Sequence, residues 1–106
     1  MIIIFIKIEM RIILRKSLEK QLELAIKLAS IKHYVQRDKS NKPYTFHLFY
    51  VMNNVDELNA KIVGVLHDIL EDKDITRKYL LDYGLGEDIV NAVEIITKVK
   101  DQKYME

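Results

Sequence analysis

Residues 62–72 read Ile-Val-Gly-Val-Leu-His-Asp-Ile-Leu-Glu-Asp, an apolar run with two ionisable residues in its middle and two acids at its end. From Leu58 onward the apolar positions recur at helical spacing, and other apolar residues lie on the opposite side. The sequence therefore predicts a helix with little surface facing water. His67 and Asp68 are then at least partly buried. Because such groups are costly to bury without compensation, we expect a metal ion or a charged partner beside them.

The composition limits the class of protein. The chain has 106 residues, with 49% apolar and 31% charged residues, which suits one small globular domain and argues against disorder. The net charge of +1 is too small to attract nucleic acid or an anionic membrane strongly. Because there is no cysteine, disulfides and thiolate metal sites are excluded. The lack of cysteine agrees with a reducing compartment, and we expect a cytoplasmic location.

Capping signals divide most of the chain into helices. Helix N-caps are expected at Ser17, Asp56 and Thr76. The helix that begins after Asp56 should end near residue 72 or 73, and Gly84 is the natural left-handed stop of the helix that begins after Thr76. A short helix over residues 46–52 and a last helix after residue 86 complete an all-α bundle of about five helices.

Residues 1–16 form an apolar extension whose structure the sequence leaves open. Ile6, Ile8 and Met10 alternate with charged residues at a strand-like period. Instead of a strand, we favour either a frayed extension or a helix that is continuous with the first helix of the domain. The run is too short and too charged for a transmembrane helix. We therefore divide the chain into this extension and a helical domain over residues 17–106, whose last eight residues we expect to be frayed.

Three histidines, His33, His47 and His67, are candidate metal ligands, because imidazole is the commonest metal ligand at neutral pH. His33 lies four residues beyond Ala29 on the inward face of its helix. The alternative for His33 is a core histidine that is bonded to a backbone carbonyl. Asp68 adds a carboxylate, and two histidines with a carboxylate favour Mn, Fe, Co or Zn over copper.

Two acids come after the His-Asp pair. Glu71 lies one helical turn beyond His67, and Asp72 comes next. Both are placed to orient or deprotonate a water molecule beside an ion. The alternative is an ordinary charge pattern at a helix end, although acids at a C-terminal end oppose the helix dipole.

Residues 32–42 are polar and rich in basic side chains, and they predict a loop that ends at Pro43. The basic side chains either hold a phosphate or are simply solvated, and charge alone does not separate the two.

Four motifs then occur in the order and spacing of a known family: His33-x-x-Gln36, Asp38-Lys39-x-x-Lys42-Pro43-Tyr44-x-x-His47, Leu66-His67-Asp68-x-x-Glu71-Asp72-x-Asp74-Ile75-Thr76, and Thr97-Lys98. From about residue 18 to residue 104 the chain resembles the small HD-domain metal-dependent phosphohydrolases. It is most similar to the (p)ppGpp hydrolase domain of RelA/SpoT-type enzymes and to small alarmone hydrolases. The resemblance implies an all-α HD-domain bundle that removes the 3′-pyrophosphate from guanosine tetra- or pentaphosphate.

The resemblance also implies roles for single residues of the metal site. His33, His67 and Asp68 would bind the divalent ion, which is typically manganese in the alarmone hydrolases. Glu71 and Asp72 would lie beside the nucleophilic water.

The resemblance implies a nucleotide-binding region as well. Arg37 and Lys39 would approach the nucleotide phosphates, and Tyr44 would contact the substrate. His47 would pack near the site without binding the ion.

Two departures from the family pattern bear on function. Leu48 comes directly after His47, where the family has proline. The family's fourth metal ligand is an aspartate on a helix well beyond the Thr-Lys motif, and no such segment occurs before Glu106. We therefore carry two expectations, a hydrolase and a truncated, catalytically impaired protein that binds nucleotide or a protein partner. The missing helices would expose part of the core, through which the chain could form a homo-oligomer.

Overall fold

The computed structural model describes residues 1–105, with side chains described to residue 103. Its elements are α1 (Ile2–Lys32), α2 (Tyr44–Asn53), α3 (Leu58–Leu66), a short 3-10 helix (Ile69–Glu71), α4 (Arg77–Tyr83) and α5 (Glu87–Met105). No strand occurs between residues 1 and 105, where the single isolated bridge joins Arg37 and Pro43. The predicted all-α bundle of about five helices is confirmed.

Helix α3 lies at the centre of the bundle, where it packs against α1, α2 and α5. At Gly64 the approach of α2 is so close that an added Cβ would lie 3.0 Å from Cγ1 of Val51. The buried apolar side chains come from all five helices and from the segments between them: Ala25, Leu28, Ala29, Leu48, Ile62, Val65, Leu66, Ile69, Ile75, Leu80, Leu85, Ile89, Val90 and Val93. This core holds the end of α3 in a fixed place.

Helix α1 is continuous from Ile2 to Lys32, so the first residues form a helix that runs on into the bundle. The expected N-cap at Ser17 is wrong, because Ser17 lies in the middle of α1, where its hydroxyl accepts a hydrogen bond from the Gln21 side chain. The C-terminal half of α1 packs into the core, whereas its N-terminal half extends beyond the bundle. The division at residues 16 and 17 stays a prediction. No helix within the described residues is both long enough and apolar enough to cross a membrane.

The central helix is shorter than expected. Its N-cap is Glu57, not Asp56, and it ends at Leu66, several residues before the predicted end at 72 or 73. The caps of α4 are confirmed. The Thr76 hydroxyl accepts a hydrogen bond from the Tyr79 amide, and Gly84 has the left-handed φ of 116°.

The last helix extends further than the sequence suggested. Residues 99–105, expected to be frayed, continue α5 in regular helical geometry, and residue 106 lies outside the described residues. The helical residues 99–105 carry α5 past the end of α3.

An ion-pair network around Arg77 connects α4 to α5, because the Arg77 guanidinium donates to Asn91, Glu94 and Glu87.

Candidate metal centre

The side chain of His67 marks the end of α3. Its Nδ1 lies 2.6 Å from the carbonyl oxygen of Gly64, which can only accept a hydrogen bond. Nδ1 therefore carries the proton in the neutral ring, and Nε2 keeps a free lone pair. This bond uses a carbonyl near the helix end, where the carbonyls lack a partner within the helix. Asp68 then leaves helical geometry, with φ −108° and ψ 3°.

The His67 Nε2 lone pair faces a carboxylate oxygen. The distance from Nε2 to Oδ2 of Asp68 is 3.1 Å, and both side chains are largely buried. Two acceptors at that distance repel each other unless a proton or a cation lies between them. Burial lowers the pKa of His67, which favours the neutral ring at pH 7. The pair therefore fits a divalent cation, which would accept both lone pairs.

His47 on α2 completes the group. Its ring packs edge-on against that of His67, with the ring centroids 5.3 Å apart. The ligand atoms of His47, His67 and Asp68 all lie within 4.8 Å of one another. His47 is exposed, His67 half-buried and Asp68 buried, so the group opens to solvent on one side. Within the described residues this arrangement can hold a metal ion and leave positions for water.

His33, which the sequence analysis placed among the ligands, lies outside this group. It is buried at the end of α1, and its ring packs against Tyr44 with centroids 4.9 Å apart. Its Nδ1 lies 2.7 Å from Oε1 of Gln36, and its Nε2 is buried with no hydrogen-bond partner. The bond is made to a side chain and not to the backbone carbonyl considered in the sequence analysis. The structure thus brings His47 next to His67 and Asp68, the position that we had expected His33 to take.

Lys100 is a member of the site that the sequence analysis missed. Its Nζ contacts the Asp68 carboxylate and lies 3.3 Å from Oε1 of Glu71. Lys100 continues the inner stripe of α5, seven residues after the buried Val93 and four after Ile96. This register is the signal that could have revealed it, had α5 not been expected to fray at residue 99. The ammonium thus supplies a positive charge to the two carboxylates.

The two predicted water-handling acids occupy different surroundings. Glu71, in the 3-10 helix, is 61% exposed and joins Asp68 through Lys100. Asp72 is half-buried, and its Oδ1 accepts a hydrogen bond from the Asp74 amide. Glu71 therefore adjoins the metal group, whereas one carboxylate oxygen of Asp72 is engaged in the turn toward α4.

The electrostatics of Asp68 result from its position. Burial, and then the negative charge of Glu71, raise the pKa of Asp68 to about 6. The charge of the nearby His33 acts in the opposite direction and lowers this pKa. Burial also lowers the pKa of Lys100 itself. Burial thus disfavours the charged form of both groups.

The loop between α1 and α2 is held in shape by Asp38. Its Oδ1 accepts hydrogen bonds from the amides of Ser40 and Lys42 at 2.8 and 2.9 Å. Arg37 and Lys39 are exposed, and the Arg37 guanidinium reaches the Asn41 carbonyl at 3.5 Å. The loop therefore presents two cations to solvent from an ordered backbone.

Tyr44 links this loop to the metal group. Its ring lies between those of His33 and His47, with centroid distances of 4.9 and 5.6 Å. Successive rings are in tilted or edge-on contact, and they run in a row from the loop to the end of α3: His33, Tyr44, His47 and His67. A ligand that contacts both the loop and the metal group would pass along this row.

An apolar groove of ≈ 760 Å³ begins at His47 and His67 and runs along α3 between α2 and α5. Its walls are lined mainly by small and branched apolar side chains, with two acids near its edges: Val51, Val55, Ala60, Val63, Ile89, Ala92, Ile96, Glu57 and Asp88. The metal group therefore lies at one end of an open apolar channel.

The comparisons with known proteins agree with the resemblance of the motifs. No family model matches the chain. A protein of Borreliella burgdorferi named guanosine-3′,5′-bis(diphosphate) 3′-pyrophosphohydrolase is 35% identical over 92 residues, which cover 82% of this chain and 13% of that protein. An Aquifex aeolicus protein of the same name is 33% identical over 89 residues, which cover 80% of this chain and 13% of the relative. The chain thus spans about 13% of the length of these relatives. Over most of its own length the chain is similar to these two guanosine-3′,5′-bis(diphosphate) 3′-pyrophosphohydrolases.

Proposed function

We propose that this chain is a metal-dependent phosphohydrolase of the HD type that removes the 3′-pyrophosphate from guanosine tetra- or pentaphosphate. The observation that carries the proposal is the convergence of His47, His67 and Asp68, with the His67 Nε2 and Asp68 Oδ2 lone pairs 3.1 Å apart. The name of the two relatives, guanosine-3′,5′-bis(diphosphate) 3′-pyrophosphohydrolase, supports the substrate class.

The proposed ligands are His47, His67 and Asp68, one more exposed and two more buried. The Gly64 carbonyl holds the His67 ring in the tautomer that offers Nε2. His33 is then a supporting residue that packs behind Tyr44. A divalent ion held by these residues would lower the pKa of water and offset negative charge on phosphate oxygens. Two imidazoles and a carboxylate suit Mn²⁺, which is the ion that we propose.

The remaining roles fall to residues around the group. Glu71 is exposed beside Asp68, where it can accept a proton from an attacking water. Asp72 would orient that water with the carboxylate oxygen that does not bond to Asp74. Arg37 and Lys39 offer two cations to the pyrophosphate, and Tyr44 offers a ring face to the base.

The direct test is incubation of the chain with Mn²⁺ and guanosine tetraphosphate, with pyrophosphate release measured over time. Asp68→Asn should abolish release, because it removes the anionic ligand while it keeps the shape of the side chain. Ile95→Asp, a change on the exposed face of α5, is the matched control and should retain activity. Release that persists in Asp68→Asn, or that does not depend on Mn²⁺, would contradict the proposed site.

Lys100 favours a second candidate function, that of a nucleotide-binding protein without turnover. Its ammonium contacts Oδ1 of Asp68, next to the oxygen that faces His67, and there it would oppose the binding of a cation. Equilibrium dialysis with guanosine tetraphosphate separates the two functions. Binding without pyrophosphate release in saturating Mn²⁺ supports the second candidate, whereas release supports the first.

A further inference from the structure

The N-terminal half of α1 exposes a large apolar surface. Residues 2–14, which we name the arm, carry ten large apolar side chains that are between 43% and 73% exposed: Ile2, Ile3, Ile4, Phe5, Ile6, Ile8, Met10, Ile12, Ile13 and Leu14. Isolated exposed apolar residues are normal on a protein surface, but a continuous helical segment of them marks an interaction site.

The arm is apolar on two sides. Residues 3, 6, 10 and 13 form one stripe at spacings of three and four, and residues 4, 8 and 12 form a second stripe at spacings of four. Lys7 and Arg11 separate the stripes on one side, and Glu9 lies on the other. A helix with two apolar stripes is covered by two walls, as in a groove, and only half covered by one flat neighbour.

The surface area of the chain is larger than that of a compact monomer. The accessible surface is 8025 Å² for a mass of 12.5 kDa, whereas a folded monomer of that mass exposes about 6,200 Å². The excess of about 1,800 Å² exceeds the roughly 800 Å² per partner that a standard protein interface buries. The radius of gyration of 15.7 Å, against about 13 Å for a compact domain of this length, reflects the same extension.

The groove along α3 has the two walls that the arm needs. It is apolar and open, and α3 is about 14 Å long against about 20 Å for the arm. The charges are complementary as well. Residues 1–16 contain four basic side chains and one acidic one, which leaves a net charge of −2 on residues 17–106. Glu57 and Asp88 at the groove edges can face Lys7 and Arg11 of an arm.

The position of the arm suits exchange between two copies. Arg11 and Leu14, at the root of the arm, lie beside Asp56 and Leu58 at the start of α3, close to the end of the groove that is opposite His47 and His67. The arm then points away from the bundle, so it cannot enter the groove of its own chain. A two-fold axis near the root places each arm along the other copy's body, because the second copy extends in the opposite direction.

We infer that this chain forms a two-fold dimer in which the arm of each copy lies in the apolar α3 groove of the other. The tip of each arm then reaches the end of the groove that contains His47 and His67. The inference does not depend on the proposed activity, because it rests on the arm, the groove and the surface area.

Cysteine cross-linking tests this arrangement directly, because the chain has no cysteine of its own. Two single variants, Ile6→Cys in the arm and Val63→Cys in the groove, are mixed and oxidised mildly. A mixed disulfide between the two species is expected, identified by mass spectrometry. Self-linked Ile6→Cys without any mixed product would mean that arms pair with each other, and would overturn the inference.

Sedimentation equilibrium provides the second measurement. The unmodified chain should be a dimer, and Ile6→Asp should raise the dimer Kd more than tenfold. Ile95→Asp on α5 is the matched control, since Ile95 is exposed to a similar degree but lies outside the arm and the groove. A monomeric unmodified chain, or a monomer that binds vesicles of phosphatidylcholine and phosphatidylglycerol through the arm, would refute the dimer.

Discussion

Replacing Lys100 by methionine should tighten the binding of Mn²⁺ about 5- to 30-fold. In the structure the Lys100 ammonium contacts Asp68 and lies 3.3 Å from Glu71. An ion bound by His47, His67 and Oδ2 of Asp68 would lie next to this ammonium, which contacts Oδ1 of the same carboxylate and would repel the ion. Methionine keeps most of the length and packing of the side chain and removes the competing charge.

The magnitude depends on the exposure of Lys100. An ammonium held about 4 Å from a divalent ion would be repelled by about 8 kcal/mol at an effective dielectric constant near 20. The Lys100 side chain is 28% exposed, however, so it can swing into water and avoid that repulsion. The remaining contribution is the loss of a partly buried ion pair, about 1–2 kcal/mol. Since about 1.4 kcal/mol corresponds to a factor of ten, the expected change in Kd is about 5- to 30-fold.

Isothermal titration of the metal-free chain with Mn²⁺ measures the effect. Lys103→Met is the control, because Lys103 is an exposed lysine on the same helix and its replacement changes the net charge equally. Equal tightening in both variants would assign the effect to overall charge. Unchanged or weaker binding in Lys100→Met would refute the competition and would mean that the ammonium helps to position Asp68 for the ion.

Three further predictions concern the ligand set and the helices that carry it. Burial raises the pKa of Asp68 to about 6 and lowers that of His67. Because a protonated carboxyl does not bind the ion, Mn²⁺ affinity should be nearly constant above pH 6 and fall about tenfold per pH unit below it. Mn²⁺ titrations between pH 5 and 8 measure this profile, and a flat profile would contradict the prediction. Gly64→Ala should lower the free energy of unfolding by about 1–3 kcal/mol and weaken Mn²⁺ binding, because the new Cβ would press on Val51 and move α2 together with His47. Urea unfolding measures the first effect and Mn²⁺ titration the second. Unchanged affinity would show that α2 repacks without moving His47. Gly84→Ala should lower the free energy of unfolding by about 1 kcal/mol or more, because the backbone at this position is left-handed. The Mn²⁺ affinity of this variant should stay unchanged. A parallel loss of affinity would show that the position of α4 affects the site.

Local signals predicted the parts of the fold that depend on neighbouring residues. Thr76 and Gly84 cap the two ends of α4 as the sequence indicated, because capping involves residues three or four positions apart. The end of α3 was not predicted. The apolar pattern continues through Ile69 and Leu70, and nothing in it shows that the His67 side chain bonds to the Gly64 carbonyl.

Some residues of the candidate site could be predicted from the sequence, and others could not. His67 and Asp68 could be chosen from the sequence, because two ionisable residues interrupt an apolar run. The proximity of His47 to His67 and Asp68 could not be predicted, since it depends on how closely α2 crosses α3 at Gly64. Lys100 was missed because its partners are 29 and 32 residues away, and only the packing of α5 brings them together.

The hydrogen bond from His67 Nδ1 to the Gly64 carbonyl has a consequence for the thermodynamics of ion capture. Rotamer freedom that a ligand loses on binding weakens affinity, whereas freedom already lost on folding does not. The orientation of the imidazole is set by the bond that also marks the end of α3, so its entropy is lost when the helix forms. Helix termination and the preorganisation of this ligand are therefore a single event, so a change that lengthened α3 past Leu66 would also release the imidazole.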